Sequence, residues 1–595
     1  MASSEPGIAR TRRLVPALQI PRSLRARVRA RESGLVFLGA AIGALAGVVV
    51  AAMSLGARAL HWLFFGIPFS QRLSSQVILD PELTVIVPVL GGIAYGLAMF
   101  ALSRWRPERE VDPIEANALH GGRMSLTGSI SVALQTVWSS GVGASVGLEA
   151  GYTQLASGFA SYIGRAFHLR RRDLRVLVGC GAAGAIAGAF GAPLGGAFYA
   201  FELIIGSYSV ASLAPVGLAG LVGYLIANAI EPSSLGIGTL YVSHVSGRDL
   251  AMAIAVGLAA ALFGIALMRG VALCETLFNR ISMPAFMRPA LGGIVVGSLA
   301  LLNPQVLSSG HGAIHLVSVL DRPLRDAALL LALKAVASVA SLGAGFRGGF
   351  FFSSLLMGAL GGHVLADYLS GLFPTVAFDP NVYAIIGMGA LSVSVIGGPF
   401  TMTFIALETT GDFWLTTAVL IAVIVAAQFT RETFGYSFAT WRFHLRGETI
   451  RSAADVGWLR ELTVRRMMRP DVRTVPAHTT LGRFRMVFPL GSVTHVVAVD
   501  EERNYAGIVQ VAEAHAHELD EGVQVREILH NPDTVLVPTM TVNEAVAGFE
   551  KAEAEALAVV QSPEAPRVVG LLTEAYALRR YAEGLELRRR ELVGE

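Results

Sequence analysis

Two glutamates occur at matching places in two similar apolar segments. Gly191–Glu202 reads GAPLGGAFYAFE, and about 206 residues later Gly397–Glu408 reads GGPFTMTFIALE. In each segment the glutamate lies nine residues after a proline. A carboxylate in an apolar segment can carry a proton, or it can accept hydrogen bonds from the unpaired N–H groups at the start of a neighbouring helix. The pattern leaves both roles open, and we favour the second for Glu202 and Glu408.

A third glutamate, Glu149, lies in a glycine-rich segment that also has a counterpart in the second half of the chain. Ser139–Gly151 reads SSGVGASVGLEAG, and Ser341–Ser354 reads SLGAGFRGGFFFSS. Where a helix begins inside a membrane, its first N–H groups are unpaired and the positive end of its dipole is exposed. Glycines allow an anion to approach those N–H groups closely. We therefore predict an anion site at these segments, where the Glu149 carboxylate competes with the bound anion.

The composition requires several membrane-spanning helices. The chain has 595 residues, of which 53% are hydrophobic and 15% are charged, and its mean hydropathy is +0.56. A soluble protein of this length is far less apolar. Uncharged runs that approach or exceed the roughly 20 residues needed to cross a bilayer lie at 33–57, 83–102, 204–230 and 251–268.

Charge and composition predict the orientation of the chain in the membrane. The basic segment 1–33 contains eight arginines, which favours a cytoplasmic position beside the first span. A nucleic-acid-binding arm is the less favoured interpretation. The roughly 150 residues after Glu448 contain no apolar run long enough to span, and they suffice for a compact cytosolic domain. Both termini are therefore expected in the cytoplasm.

Interrupted apolar segments recur in two halves of the chain, at about 34–231 and 249–440. A helix that breaks at membrane depth is tolerated only where the break is buried in protein or lines a cavity, and paired breaks indicate a transport site. We predict an α-helical polytopic membrane domain with an internal, inverted repeat. The tail repeats as well, since Val464–Leu481 is echoed by Val525–Val542. Its patterns predict a cytosolic α/β module made of two copies.

The order of these segments resembles that of the CLC family of chloride channels and chloride/proton exchangers over residues 34–447. The tail resembles a tandem pair of CBS domains, at 464–524 and 525–588. The family motif Gly-x-Glu-Gly-Pro appears here as GLEAG, and the motif Gly-x-Phe-x-Pro appears as GFFFS at Gly349–Ser353. The resemblance implies transport of chloride or a similar small anion by a homodimer.

The resemblance also implies roles for individual residues. It makes Glu149 the gate of the anion pathway. The inner pore tyrosine of the family matches the tyrosine of FGYSFATW. The backbone amides that hold the anion in the family match those in the segments GLEAG and GFFFS. The anion-binding residues implied in this way are Leu148, Ala150, Phe350, Phe351 and Tyr436.

Two departures from the family pattern bear on the mechanism. The loop Gly-Ser-Gly-Ile-Pro corresponds to Arg109–Pro113, REVDP, which offers Glu110 and Asp112 but no serine to hold the anion. Exchangers of this family have a proton-carrying glutamate where this chain has Leu203, and leucine carries no proton. We therefore favour a gated passive chloride channel, with a chloride/proton antiporter as the alternative. Glu202, one residue earlier, is the candidate proton relay if exchange occurs.

The resemblance to CBS domains raises the question of nucleotide binding. In that family a threonine and an aspartate three residues later commonly hold an adenine nucleotide. The second copy keeps Thr573 but has Tyr576 at the acidic position, and the first copy has Gln510 and Glu513. Glu513 and Thr573 are therefore the candidate nucleotide-binding residues, and a structural, dimer-forming role is the alternative.

Two further function classes fit the sequence less well. A CBS-regulated cation channel needs acidic residues along its spans, and these spans offer few. An intramembrane hydrolase needs a catalytic histidine or a pair of aspartates within the spans, and no convincing constellation is present there. We expect neither enzymatic activity nor a cofactor, a metal site or a nucleic-acid partner.

Overall fold

The structure is a computed structural model that describes residues 20–30, 32–105, 110–232, 245–280, 283–313, 323–435, 437, 440–441, 462–562, 564–580 and 582–583. The chain divides into two units, Met1–Asp455 and Val456–Glu595. In the described residues the first unit is helical and the second is mixed α/β. This division confirms the predicted fold class.

The helices of the first unit follow one another through short connections. They are α1 (Arg22–Ala30), α2 (Glu32–Phe65), α3 (Pro81–Trp105), α4 (Pro113–Leu119), α5 (Leu126–Gly141), α6 (Glu149–Ala166), α7 (Arg171–Phe190), α8 (Pro193–Tyr199), α9 (Val210–Ile230), α10 (Gly247–Arg280), α11 (Arg288–Leu302), α12 (Leu324–Gly343), α13 (Phe351–Leu372), α14 (Pro380–Ile396), α15 (Pro399–Thr410) and α16 (Phe413–Thr433). Helix α8 continues into one wider, π-helical stretch at Ala200–Ile205.

Many of these helices are suited to a lipid environment. Nine helices in the described part of the chain are long and apolar enough to cross a membrane. Large apolar side chains such as Phe37 on α2 and Leu262 on α10 are exposed, as expected for a surface that contacts lipid. The first unit is therefore a multi-pass membrane domain.

The two repeats break their helices by the same device. Helix α7 ends at Gly191 with φ 67°, and α14 ends at Gly397 with φ 90°. Both values lie in the left-handed region, which glycine adopts without steric cost. Each break is followed by a proline at the first position of the next helix, Pro193 in α8 and Pro399 in α15, where its missing N–H is not needed. The paired Gly-x-Pro segments thus produce paired broken helices, as predicted.

The two glycine-rich segments meet at the centre of the membrane domain. Gly147 and Gly349 form an isolated antiparallel bridge, and their reciprocal N–H to carbonyl hydrogen bonds measure 2.9 and 2.8 Å. This bridge brings together the first turns of α6 and α13. Phe190, the last residue of α7, packs under them, with its ring centroid 4.5 Å from that of Phe351 and 4.4 Å from that of Phe352.

The second unit contains two copies of a small α/β arrangement. Its strands are β1 (Thr474–Pro476), β2 (His495–Val499), β3 (Tyr505–Gln510), β4 (Ala556–Val560) and β5 (Val568–Thr573), and its helices are α17 (Val464–Met467), α18 (Leu481–Val487), α19 (Val511–Ala514) and α20 (Val542–Ala552). Strand β2 pairs with β1 in parallel and with β3 in antiparallel fashion, and β4 pairs with β5 in antiparallel fashion. In the second copy the counterpart of β1 is reduced to a single parallel bridge between Leu536 and Val559.

Candidate functional site

The side chain of Glu149 lies at the junction of the two glycine-rich segments. Glu149 is the first residue of α6 and its side chain is buried. Its Oε1 atom accepts a hydrogen bond from the backbone N–H of Phe352, in the first turn of α13. Its Oε2 atom is buried without a hydrogen-bond partner among the described residues. A carboxylate therefore occupies a position at a helix N-terminus that is suited to an anion.

Glycine is required on both sides of this carboxylate because the backbone passes so close to it. A Cβ atom added at Gly147 would lie 1.9 Å from Glu149 Oε2, and one added at Gly349 would lie 2.3 Å from the same atom. Real Cβ atoms do not approach an oxygen so closely. The two glycines thus leave room for the Glu149 carboxylate beside their backbone.

The predicted anion-binding residues lie around this point. Leu148 is the N-cap of α6, and Ala150 is in the first turn of that helix. Phe350 is the N-cap of α13 and Phe351 is its first residue, and both side chains are buried. The N–H group that contacts the Glu149 carboxylate belongs to Phe352, which we had not singled out from the sequence. Tyr436 lies outside the described residues.

A buried lysine lies near Glu149. The side chain of Lys334, on α12, is fully buried. Its Nζ atom donates hydrogen bonds to the carbonyl oxygens of Val306 at 3.0 Å and Ser308 at 2.7 Å, and it interacts electrostatically with Glu149. The sequence held a signal for this residue, because a single lysine in an apolar helix is costly and is usually functional.

Tyr199, at the end of α8, lies beside the start of α13. Its ring is nearly parallel to that of Phe351, with centroids 6.3 Å apart. The phenol interacts electrostatically with both Glu149 and Asp112. Tyr199 of α8 is therefore close to the Glu149 carboxylate, which the sequence patterns did not indicate.

The two acidic residues of the REVDP segment have structural partners. Asp112 is the N-cap of α4, and its side chain accepts a hydrogen bond from the N–H of Glu115 at 2.9 Å. Glu110 forms an ion pair with Arg347 at 3.5 Å and accepts a hydrogen bond from Gln135 at 3.3 Å. Both carboxylates are thus engaged with groups of the protein, which explains how they are accommodated near an anion pathway.

Glu202 and Glu408 cap each other's broken helices. Glu202 accepts hydrogen bonds from the N–H groups of Phe400 and Thr401, both at 2.9 Å, and from the Thr401 hydroxyl at 2.7 Å. Glu408 accepts hydrogen bonds from the N–H groups of Leu194 at 2.8 Å and Gly195 at 2.9 Å. Neither α8 nor α15 is capped by the side chain of its own N-cap residue. Each carboxylate therefore satisfies N–H groups that the other broken helix leaves open.

Glu202 also faces open space. Together with Leu203, Tyr208, Ser437 and Thr440 it lines a cavity of about 480 Å³. A carboxylate at the edge of a cavity this large is accessible to water. Glu202 thus caps α15 and also lies at the wall of a cavity.

In the second unit the two candidate nucleotide-binding residues lie on different elements. Glu513, on α19, is half-exposed and pairs with the imidazole of His530. Thr573 is the last residue of β5. A cavity of about 390 Å³ in this unit is lined by residues between 474 and 488, and by neither of these two.

Comparison with known proteins identifies relatives of the membrane domain. Residues 91–431 match the family model described as voltage gated chloride channel. The voltage-gated ClC-type chloride channel ClcB of Escherichia coli O17:K52:H18 is 28% identical over 400 residues, which cover 67% of this chain and 95% of that protein.

Two solved structures have the same fold. A slow cyanobacterial Cl−/H+ antiporter aligns with a TM-score of 0.61 at 20% identity, over 69% of this chain and 97% of that chain. A eukaryotic CLC transporter aligns with a TM-score of 0.59 at 18% identity, over 93% of this chain and 98% of that chain. At such identities the alignments show the fold alone. Because the family match spans more than half of the sequence and includes both helix breaks and the Glu149 segment, the protein belongs to the voltage-gated chloride channel (CLC) family.

Proposed function

We propose that this CLC protein is a gated, passive chloride channel in which Glu149 is the gate. The observation that carries the proposal is the hydrogen bond from the Phe352 N–H to the Glu149 carboxylate at the N-terminus of α13. In this position the carboxylate stands in for a bound anion. The pathway is closed while the carboxylate is held there.

Opening follows from the chemistry of the carboxylate. Protonation removes the negative charge of Glu149, and with it the attraction to the first turn of α13. The neutral side chain then leaves the N–H group of Phe352 to a chloride ion. Because backbone dipoles hold chloride without a full opposing charge, the ion can also leave. The buried amino group of Lys334 interacts electrostatically with Glu149, and in its protonated form it supports anion occupancy.

Passive conduction is favoured by the surroundings of Glu202. Three donors hold its carboxylate at the start of α15, and this arrangement is mirrored by Glu408, for which no transport role is needed. Leu203 has no titratable group. A structural carboxylate and a leucine give no dedicated relay between the cytoplasm and Glu149.

Chloride/proton exchange is the second candidate, and one observation favours it. Glu202 lines the cavity of about 480 Å³ described above, so water can reach its carboxylate. The cyanobacterial structural neighbour is also described as a Cl−/H+ antiporter. In that case Glu202 would exchange protons with the cavity while retaining some of its donors.

We propose a homodimer with both termini in the cytoplasm. Positive charge in segment 1–33 and the polar composition of the tail support this orientation. For the CBS-like pair we propose a structural role in assembly, with binding of an adenine nucleotide through Glu513 and Thr573 as the alternative. Cross-linking in native membranes tests the dimer, and equilibrium binding of ATP to the purified protein tests the alternative.

The first test of the function is chloride flux through purified protein in liposomes. Vesicles loaded with chloride are diluted into low-chloride buffer, and efflux is followed with a chloride electrode after the ionophore valinomycin removes the charge barrier. A channel or an exchanger releases chloride, and empty vesicles do not. Absence of chloride flux from correctly folded protein would show that the proposed function is wrong.

A further inference from the structure

A small cavity adjoins the starts of α6 and α13. It has a volume of about 50 Å³. Its lining includes Leu148, which precedes the gate residue, and Phe352, whose N–H binds the gate carboxylate. Its polar lining residues include Arg72, Tyr152, Glu231 and His311. We call this space the Arg72 cavity.

The charges around the Arg72 cavity have a positive balance. The Oε1 atom of Glu231 lies 3.1 Å from a guanidinium nitrogen of Arg58 and 3.5 Å from one of Arg72. The same oxygen accepts a hydrogen bond from the Ser54 hydroxyl at 3.1 Å. One carboxylate thus faces two guanidinium groups, so among the described residues one positive charge of this cluster has no acidic partner. Such a charge at the wall of a small cavity attracts an anion.

Tyr152 supplies a hydrogen-bond donor without a protein acceptor. Its side chain is only 2% exposed, and its hydroxyl has no hydrogen-bond partner within the described parts of the chain. Tyr152 lines the Arg72 cavity and interacts electrostatically with both Arg72 and Glu149. Buried hydroxyls are normally paired, because leaving one unpaired costs free energy. The Tyr152 hydroxyl therefore offers a hydrogen-bond donor to a group that occupies the cavity.

We propose that the Arg72 cavity binds a small monovalent anion such as chloride before it enters the gate. Arg72 supplies the charge and the Tyr152 hydroxyl donates a hydrogen bond to the ion. A single water molecule needs roughly 10–15 Å³ of such volume, so the cavity has space for one halide ion with some of its water. The proposal rests on the proposed function, because the site is useful only if chloride then passes Glu149.

Glu231 sets the affinity of this site by competition. Its carboxylate and the anion share Arg72, as the Glu149 carboxylate and the anion share the Phe352 N–H. Removing the charge of Glu231 strengthens anion binding, and removing the Tyr152 hydroxyl weakens it. The two substitutions therefore shift the apparent affinity in opposite directions, which a general loss of packing does not do.

The location of the cavity defines the face from which it is tested. Arg72 lies in the connection from α2 to α3. Because α2 is long and apolar enough to cross the membrane once, the proposal places this connection and the Arg72 cavity on the side of the membrane opposite to the N-terminal segment. The experiment measures current through purified protein in a planar bilayer, with the chloride concentration varied on that face alone. An exposed cysteine is engineered on one face of the protein. A membrane-impermeant thiol reagent, added to one side of the bilayer, then inactivates the molecules that present this cysteine to that side, so the current comes from molecules in the other orientation.

For Tyr152→Phe we expect the half-saturating chloride concentration on the Arg72 face to rise about fivefold, the change expected for one hydrogen bond. It should stay unchanged on the opposite face. Glu231→Gln should lower the same concentration. Tyr224→Phe, on α9 and outside the cavity lining, is the matched control and should change nothing.

A direct measurement covers the case in which a variant folds poorly. Crystals of the wild-type protein soaked in bromide should show an anomalous difference peak between Arg72 and Tyr152. Absence of this peak, or an unchanged chloride dependence in Tyr152→Phe with wild-type flux intact, would mean that water or the displaced Glu149 side chain fills the cavity, and the proposal would be wrong. If the wild-type protein shows no chloride flux at all, the proposed function itself is wrong.

Discussion

The carboxylate of Glu202 caps α15, the helix that carries Glu408, and the carboxylate of Glu408 caps α8, the helix that leads into Glu202. In this reciprocal arrangement the start of each helix is bound by the glutamate that lies toward the end of the other segment. It gives the repeated glutamates a structural purpose that does not depend on proton transfer. These hydrogen bonds support the predicted structural role of both glutamates. Transport measurements must decide whether Glu202 also transfers protons.

The first prediction concerns the stability of this double cap. In Glu202→Gln and Glu408→Gln an NH₂ group replaces an acceptor oxygen and faces backbone N–H donors. Each change should cost about 1.5–3 kcal/mol, the range for hydrogen bonds to a charged group, and should lower the thermal unfolding midpoint in detergent. Glu432→Gln, at an exposed position on α16, is the control. Equal midpoints for all three variants would contradict the capping role.

The second prediction concerns the gate. Wild-type chloride flux should rise as the pH falls, because protonation neutralises Glu149 and releases it from the start of α13. Glu149→Gln mimics the protonated side chain, so it should conduct at all pH values and show no pH dependence. The measurement is chloride efflux from liposomes between about pH 3 and pH 8, a window that brackets ordinary carboxyl titration. A Glu149→Gln variant with the wild-type pH profile would exclude this residue as the gate.

The third prediction separates channel from exchanger. With opposed chloride and proton gradients, the current should reverse at the chloride equilibrium potential whatever the proton gradient. This follows because Leu203 offers no titratable group and Glu202 is engaged by three donors. If instead a chloride gradient drives protons uphill, and Glu202→Gln abolishes that movement, then Glu202 is a proton relay and the protein is an antiporter.

The fourth prediction concerns Lys334. In Lys334→Met the carbonyl groups of Val306 and Ser308 lose their donor, and the titratable amino group near Glu149 is removed. We expect a stability loss of about 1–3 kcal/mol and a higher half-saturating chloride concentration for flux. Lys551→Met changes the only other lysine of the chain, at an exposed position of the second unit, and should alter neither quantity. A change in stability without any change in chloride dependence would limit Lys334 to a structural role.

The fifth prediction tests the helix break at Gly397. Its φ of 90° is unfavourable for a residue with a Cβ atom, and a Cβ there would lie 3.0 Å from that of Ser437. Gly397→Ala should therefore destabilise the protein by about 1–2 kcal/mol, the penalty for left-handed backbone. Gly217→Ala, in α9, has no described atom within 4 Å of the added Cβ and should be neutral or slightly stabilising. Thermal unfolding of the two variants side by side provides the comparison.

The sequence alone determined the membrane domain, the internal repeat and the place of Glu149. These features follow from local patterns: uncharged runs long enough to span, a glycine and a proline at each break, and glycines around a lone carboxylate. Such patterns act through the backbone conformation of a few neighbouring residues, so they can be recognised without knowing what lies across the fold. The same is true of the repeated α/β tail.

Only the tertiary structure decided which groups meet. It showed that the Glu149 carboxylate contacts the N–H of Phe352, that Lys334 lies near Glu149, and that Glu202 pairs with the first turn of a helix about 200 residues away. It also showed that the Tyr152 hydroxyl, at the wall of the Arg72 cavity, has no hydrogen-bond partner among the described residues. Hydrogen bonds depend on tenths of an ångström between elements distant in the chain. Those distances are fixed by how the helices pack together, which no local pattern contains.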